Sequence, residues 1–184
     1  MNKKILYKKA YRILNTSTPL NYDCGFLCNN KCCKGDDNKG MVLFPGEEIM
    51  YVNKPFNKSY NKPFENKSFL AIEERNFCNS KVLFATCREK CDRNLRPLSC
   101  RIFPLVPYIN KDGFLRIIND PRARFLCPLL AGIEKIKISP FFKRNVRKVF
   151  QLLSQDCDIR EFLIKLSGVL EEYMRFTGTD IDTL

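Results

Sequence analysis

The spacing of apolar positions changes character three times along the chain. Between residues 4 and 14, Leu6, Ala10, Ile13 and Leu14 recur at helical intervals and predict a short amphipathic helix, closed by Thr16-Ser17-Thr18-Pro19. From Cys24 to Gly40 apolar residues nearly vanish and turn formers replace them: Gly25, Asn29-Asn30 and Gly35-Asp36-Asp37-Asn38. That stretch reads as a loop whose order needs something other than hydrophobic burial. Met41-Val42-Leu43-Phe44 predicts a short strand. Pro45-Gly46-Glu47-Glu48 predicts the start of a helix of about two turns, with its acids at the positive end of the helix dipole.

Residues 53–68 carry a tandem near-repeat, Asn53-Lys54-Pro55-Phe56 and Asn61-Lys62-Pro63-Phe64, too short for a solenoid and read as a surface insertion. Phe69–Glu74 and Lys81–Thr86 predict a hairpin across Asn76–Ser80. Ile102–Ile109 and Phe114–Ile118 predict a second, turned by Asn110-Lys111-Asp112-Gly113, with Pro104 and Pro107 making its first strand an irregular edge. Beyond residue 139 the period is helical again. Ser139-Pro140 supplies an N-cap and a proline at the first helical position, and Phe142, Val146, Val149, Phe150 and Leu153 mark one face. A second helix from Asp156 or Asp158 carries Ile159, Phe162, Leu163, Leu166, Val169, Leu170 and Tyr173, and Gly178 closes it. The pattern predicts an α+β fold in one domain over residues 1–184. A small Cys-rich metal-binding region with short β-hairpins (20–130) is followed by a C-terminal antiparallel helical hairpin (139–176).

Composition sharpens the chemistry. The 184 residues include ten cysteines and no histidine. Without histidine, Ser-His-Asp and Cys-His catalysis, His-ligated zinc fingers, two-His iron sites and Rieske centres are all excluded. No run approaches the ~18 apolar residues of a membrane span. The start, MNKKILYKKAYRILN, has the charge of a signal peptide but no apolar core, so a cytoplasmic location is expected. Thiols in that compartment stay reduced, and clustered ones more often hold metal than form disulfides.

Eight cysteines fall into patterns. Cys24-x₃-Cys28-x₃-Cys32-Cys33 lies in the polar loop, Cys87-x₃-Cys91 follows a predicted strand, and Cys100 and Cys127 lie in RPLSCRIFP and LCPL. Short spacings let one turn aim two sulfurs at a metal about 2.3 Å away, and adjacent Cys32 and Cys33 point in different directions. A loop this poor in apolar residues gains its order from such bonds. These eight are the candidate ligands of an iron–sulfur cluster or Zn. Cys78 and Cys157 stand apart and read as reduced cysteines buried as small hydrophobes.

The C-x₃-C-x₃-CC block, the later cysteine pair and Arg96-Pro97-x-x-Cys100-Arg101-x-Phe103-Pro104 resemble the zinc- or iron-chelating cysteine-cluster family, the YkgJ-like CxxCxxCC proteins, which include flagellin lysine-N-methylases. The resemblance covers roughly Cys24 to Leu130, and the first spacing here is three residues where the family pattern has two. It implies metal ligation by Cys24, Cys28, Cys32, Cys33, Cys91 and Cys100, with Cys87 and Cys127 added. It also matches Arg96 and Arg101, whose guanidinium groups would offset the charge of a thiolate-rich site.

Metal binding through thiolates is therefore the leading function, with iron–sulfur favoured over zinc because eight thiolates without histidine suit it. A structural zinc module binding nucleic acid or protein comes second. A lysine-methylase-like enzyme acting on a protein substrate comes third, although none of the eight glycines forms a G-x-G and Cys24, Cys28 and Cys32 miss the C-x₃-C-x₂-C of radical enzymes. The net charge of +12 nominally favours an anionic partner, but each four-thiolate site offsets about two charges. The basic residues gather in two places, Lys3, Lys4, Lys8, Lys9 and Arg12, then Lys143, Arg144, Arg147 and Lys148. Each group reads first as a solvated helix face and only second as a nucleic-acid contact.

Overall fold

The computed structural model describes residues 2–32, 40–51, 69–77, 80–87, 93–131 and 136–181. The repeat at 53–68 and the Asp36-Asp37 turn lie outside these residues. Five α-helices and two small antiparallel sheets make an α+β fold. Helix α1 spans Lys3–Leu14 and α2 spans Gly25–Cys28. Strand β1 (Gly40–Val42) lies beside β3 (Ser80–Cys87), which pairs with β2 (Phe69–Phe77) in a sheet of order β1-β3-β2. Helix α3 (Leu98–Ile102) precedes the hairpin of β4 (Leu105–Ile109) and β5 (Leu115–Asn119). Helices α4 (Pro140–Leu153) and α5 (Cys157–Thr177) follow.

The five positions that predicted the inner face of α4 are all fully buried. In α5, Ile159, Phe162, Leu163, Leu166 and Leu170 are buried, while Val169 and Tyr173 are half-buried. Asp156 caps α5 by accepting the Ile159 N–H at 3.3 Å, and Gly178 ends it in the left-handed conformation. The two helices do not form the expected mutual hairpin. Helix α4 packs along α1, and α5 lies against β4. Phe44 explains the separation, because its ring meets Phe150 of α4 at 5.1 Å and Phe162 of α5 at 5.7 Å, both edge-on.

Bonds at both ends fix the direction of the α1–α4 pair. The Ser139 N–H donates to the Pro19 carbonyl (2.8 Å) and the Asn145 amide to the Ser17 hydroxyl (3.3 Å), just past the end of α1. At the other end Lys3 reaches Asp156 (3.6 Å) and Asp158 (2.5 Å), just past the end of α4. The two helices therefore run antiparallel, side by side.

Two short elements depart from the sequence pattern. The predicted two-turn helix at Pro45 is a single 3-10 turn, Glu47–Met50, entered through Gly46 at φ 87°. The backbone at that φ favours glycine, and a Cβ there would sit 2.6 Å from the Lys3 Cδ and displace that side chain. The first strand of the second hairpin starts at Leu105 rather than Ile102, because Leu98–Ile102 is helical. Strand β4 is regular despite Pro107. Its even-numbered residues face β5, with the Asp120 N–H donating to Pro104 and the Asn110 N–H to Phe114. Pro107 thus points its missing donor to the outer edge, and on that edge the Ile109 N–H is taken by the Ser167 hydroxyl of α5 at 2.8 Å. One hydrophobic cluster draws on α1, β4, α4 and α5 together.

Candidate metal centre

Five of the eight cysteines expected as ligands have described side chains: Cys24, Cys28, Cys32, Cys100 and Cys127. Cys33 and Cys91 lie outside the described residues, as do Cys78 and the side chain of Cys87. No disulfide joins the described cysteines.

The polar loop contains one helical turn, α2. Cys24 caps it with helical dihedrals (φ −63°, ψ −14°) and Cys28 closes it, so the three-residue spacing puts both sulfurs on one face, one turn apart. The Asp23 carboxylate accepts the Gly25 N–H at 2.9 Å and starts the turn. Asn29 and Asn30, both at positive φ, reverse the chain immediately after Cys28, and Cys32 beyond them is exposed. Asparagine at both positions is what makes that reversal affordable in strain.

Cys127 arrives from a different construction. Asp120 is buried, caps the 3-10 turn Pro121–Ala123 by accepting the Arg122 N–H (3.0 Å), and holds the Arg122 guanidinium through contacts of 2.9 and 2.7 Å. The turn then takes the Cys127 N–H on the Ala123 carbonyl at 2.8 Å. Burial pushes the Cys127 thiol above its ordinary range. Two backbone amides, those of Leu129 and Leu130, lie against its sulfur and favour the thiolate. Cys28, about a hundred residues away in sequence, lies within electrostatic reach of the same sulfur and adds to the rise. Two residues before each of these cysteines, Phe26 (84% exposed) and Phe125 (80% exposed) face solvent.

Cys100 sits half-buried on α3, and the position of α3 depends on a carboxylate that the sequence pattern assigned elsewhere. Glu47, read from the sequence as one of two acids at a helix start, is fully buried. Its Oε1 accepts the Leu98 N–H at 2.7 Å and the Tyr11 hydroxyl at 2.6 Å, and its Oε2 accepts the Phe44 N–H at 2.9 Å. Tyr11 in turn meets the Tyr51 hydroxyl at 2.5 Å. Burial raises the Glu47 carboxyl to about 7, outweighing the three hydrogen bonds that pull it down. The Cys100 charge raises the Tyr51 hydroxyl further, which puts this cysteine beside the network.

Of the two arginines flanking Cys100, Arg101 has a structural role. Arg101 is buried, donates to the Arg96 carbonyl and the Asn94 carbonyl at 2.8 Å each, and lies over the Tyr11 ring at 4.7 Å. It clasps the segment leading into α3. An apolar recess of about 300 Å³ is bordered by Ser99 and Leu126, the residues next to Cys100 and Cys127, so both cysteine-bearing turns share its wall. Cys157 is exposed at the first position of α5, against the expectation of a buried thiol, because Asp156 rather than the cysteine turns inward.

The donor chemistry, soft sulfur with no histidine anywhere in the chain, fits a thiolate-held metal. Among the described residues no three cysteine, aspartate or glutamate side chains converge on one point. Glu47 and Asp120 are the residues that sequence reasoning missed. For Asp120 the Asp-Pro-Arg run was a visible turn signal, whereas nothing local marked Glu47. Compared with protein-family models, with curated proteins and with solved structures, the chain matches none.

Proposed function

We propose that this chain is a metal-binding protein whose site is made of cysteine thiolates. Cys28 and Cys127 are its founding pair, and Cys24, Cys32, Cys33, Cys87, Cys91 and Cys100 are the pool from which the other ligands come. The observation that carries the reading is that Cys28 lies within electrostatic reach of Cys127, whose sulfur also has the Leu129 and Leu130 amides beside it. Burial opposes the Cys127 anion more than the two amides favour it, so a bound cation would supply the stabilisation that the thiolate lacks in the fold alone. The motif resemblance to the cysteine-cluster family supports the same reading, and the absence of histidine favours iron–sulfur over zinc. As an iron–sulfur cluster the metal would supply one-electron chemistry; as zinc it would fix the fold. A methylase-like activity rests on the motif resemblance alone and adds no residue to the site.

Metal analysis of anaerobically purified protein tests the proposal. Iron with acid-labile sulfide and visible charge-transfer absorption is expected. Cys28→Ser and Cys127→Ser should each lose the metal, while Cys157→Ser should keep it. A colourless protein with stoichiometric zinc overturns the iron–sulfur assignment. Equal metal content in all three variants and in the wild type overturns the ligand assignment.

A further inference from the structure

Two basic groups that the sequence separates by more than a hundred residues become neighbours in the fold. Helices α1 and α4 lie side by side and antiparallel. Neither contains an aspartate or glutamate. Lys4, Lys8, Lys9 and Arg12 on α1 and Lys143, Arg144, Arg147 and Lys148 on α4 are all exposed. Among the described residues none of these eight makes an ion pair or a side-chain hydrogen bond, whereas Lys3 at the edge is held by Asp156 and Asp158. Lys4, Lys8 and Arg12 follow one another at four-residue steps, as do Lys143 with Arg147 and Arg144 with Lys148. The cations therefore form rows along helices about 18 and 21 Å long.

Like charges crowded on two adjacent helices with no carboxylate between them oppose folding, and an anionic partner that neutralises them removes that cost. The apolar sides of both helices are already spent in the core, through Leu6, Tyr7, Ala10 and Leu14 on one and Phe142, Val146, Val149, Phe150 and Leu153 on the other. A membrane-surface helix needs such a side turned outward, so this surface fits phosphates better than lipid tails. One aromatic does face out. Phe141 is 54% exposed, and the Arg144 guanidinium lies over its ring at 5.8 Å, while only its neighbour Phe142 enters the core. A ring with an arginine beside it is a platform on which an unpaired base can stack.

We infer that the paired faces of α1 and α4 bind single-stranded nucleic acid, with the eight cations tracking the phosphates and Phe141 stacking a base. The inference does not depend on the metal site. It is tested by fluorescence anisotropy with a labelled uridine 20-mer, using the 184-residue protein as purified across roughly 50 to 200 mM salt. A logarithmic salt slope near −5 is expected, which is a loss of about a thousandfold over that range. Replacing Lys143, Arg144, Arg147 and Lys148 by Gln should flatten the slope by about three units. Replacing Lys4, Lys8, Lys9 and Arg12 by Gln should flatten it by a similar amount, since about 0.7 is lost per contact. Phe141→Ala should weaken binding about tenfold and leave the slope unchanged. Circular dichroism and metal content should match wild type in every variant. If the α1 set leaves the slope unchanged, the two helices are not one surface and the inference fails. It fails equally if vesicles of phosphatidylcholine with phosphatidylserine bind more tightly than the oligonucleotide at the same salt, or if the wild type shows no salt-dependent binding.

Discussion

The half of the molecule built from α1, α4, α5 and the β4–β5 hairpin is held by side chains with no exposed surface, such as Tyr7, Phe142, Phe150, Leu153, Leu163 and Leu170. In the half that carries most of the cysteines, where Leu43, Ala85 and Leu98 are buried too, single polar bonds fix the individual turns: Asp23 to Gly25, Asp120 to Arg122, Glu47 to Leu98. In the first half, position follows from area, which is distributed over many contacts and tolerant of small changes. In the second, position follows from individual donors and acceptors, each of which can be removed alone. Precision in placing Cys100 and Cys127 thus comes from groups whose loss is felt locally, while the core supplies the stability that carries them.

Removing a core ring should have the largest effect. Phe150→Ala is expected to cost about 4 kcal/mol in urea unfolding, from lost burial and the cavity left against Phe44. Metal content per folded molecule should be unchanged, and its loss would show that the two halves are not separable. Glu47→Ala should cost about 3 kcal/mol, because two backbone amides and the Tyr11 hydroxyl lose a buried acceptor. Unlike Phe150→Ala, it should also loosen α3 and lower metal occupancy.

Glu47 also gives the comparison a pH signature. Its carboxyl titrates at about 7 in the fold against 4.5 ordinarily, so the native state keeps a proton that the unfolded chain releases. That contribution is fully present below pH 4.5 and disappears as pH rises through 7, a change of about 3 kcal/mol. Wild-type stability should therefore fall with pH across this window relative to Glu47→Gln, as followed by urea midpoints. A parallel pair of curves would mean that Glu47 is ionised throughout. In metal-free protein Cys127→Ala should cost no more than about 1 kcal/mol, and with metal bound several times as much, since only the second measurement removes a ligand. Phe26→Ser, at a site with almost no contacts, should lie within about 0.5 kcal/mol of wild type by thermal melting.

What the sequence made legible follows the same division. Helices α1, α4 and α5 were readable because their signals are repeated: an apolar period along a face, a cap at Asp156, a glycine at 178. The turn at Gly113 was readable because its φ of 81° demands such a residue. Helix α3 was not, since five residues carry no period and Glu47, 51 positions away, supplies the acceptor for its first amide. The partner of α4 was equally hidden, because a helical stripe shows which face is inward and not what it meets. In the candidate site each cysteine was visible, but the approach of Cys28 to within electrostatic reach of Cys127 depends on the two turns that deliver them.

The outer edge of β4 has a consequence for how copies of the protein meet. A two-stranded hairpin ordinarily offers a row of backbone donors to any passing strand, and such rows seed edge-to-edge polymerisation. Here Pro107 contributes no donor and the Ile109 amide is stoppered by Ser167, which passes its own proton to the Leu163 carbonyl. The row is broken at two consecutive places. An extended segment from another chain finds no ladder to climb, so the sheet ends within its own molecule.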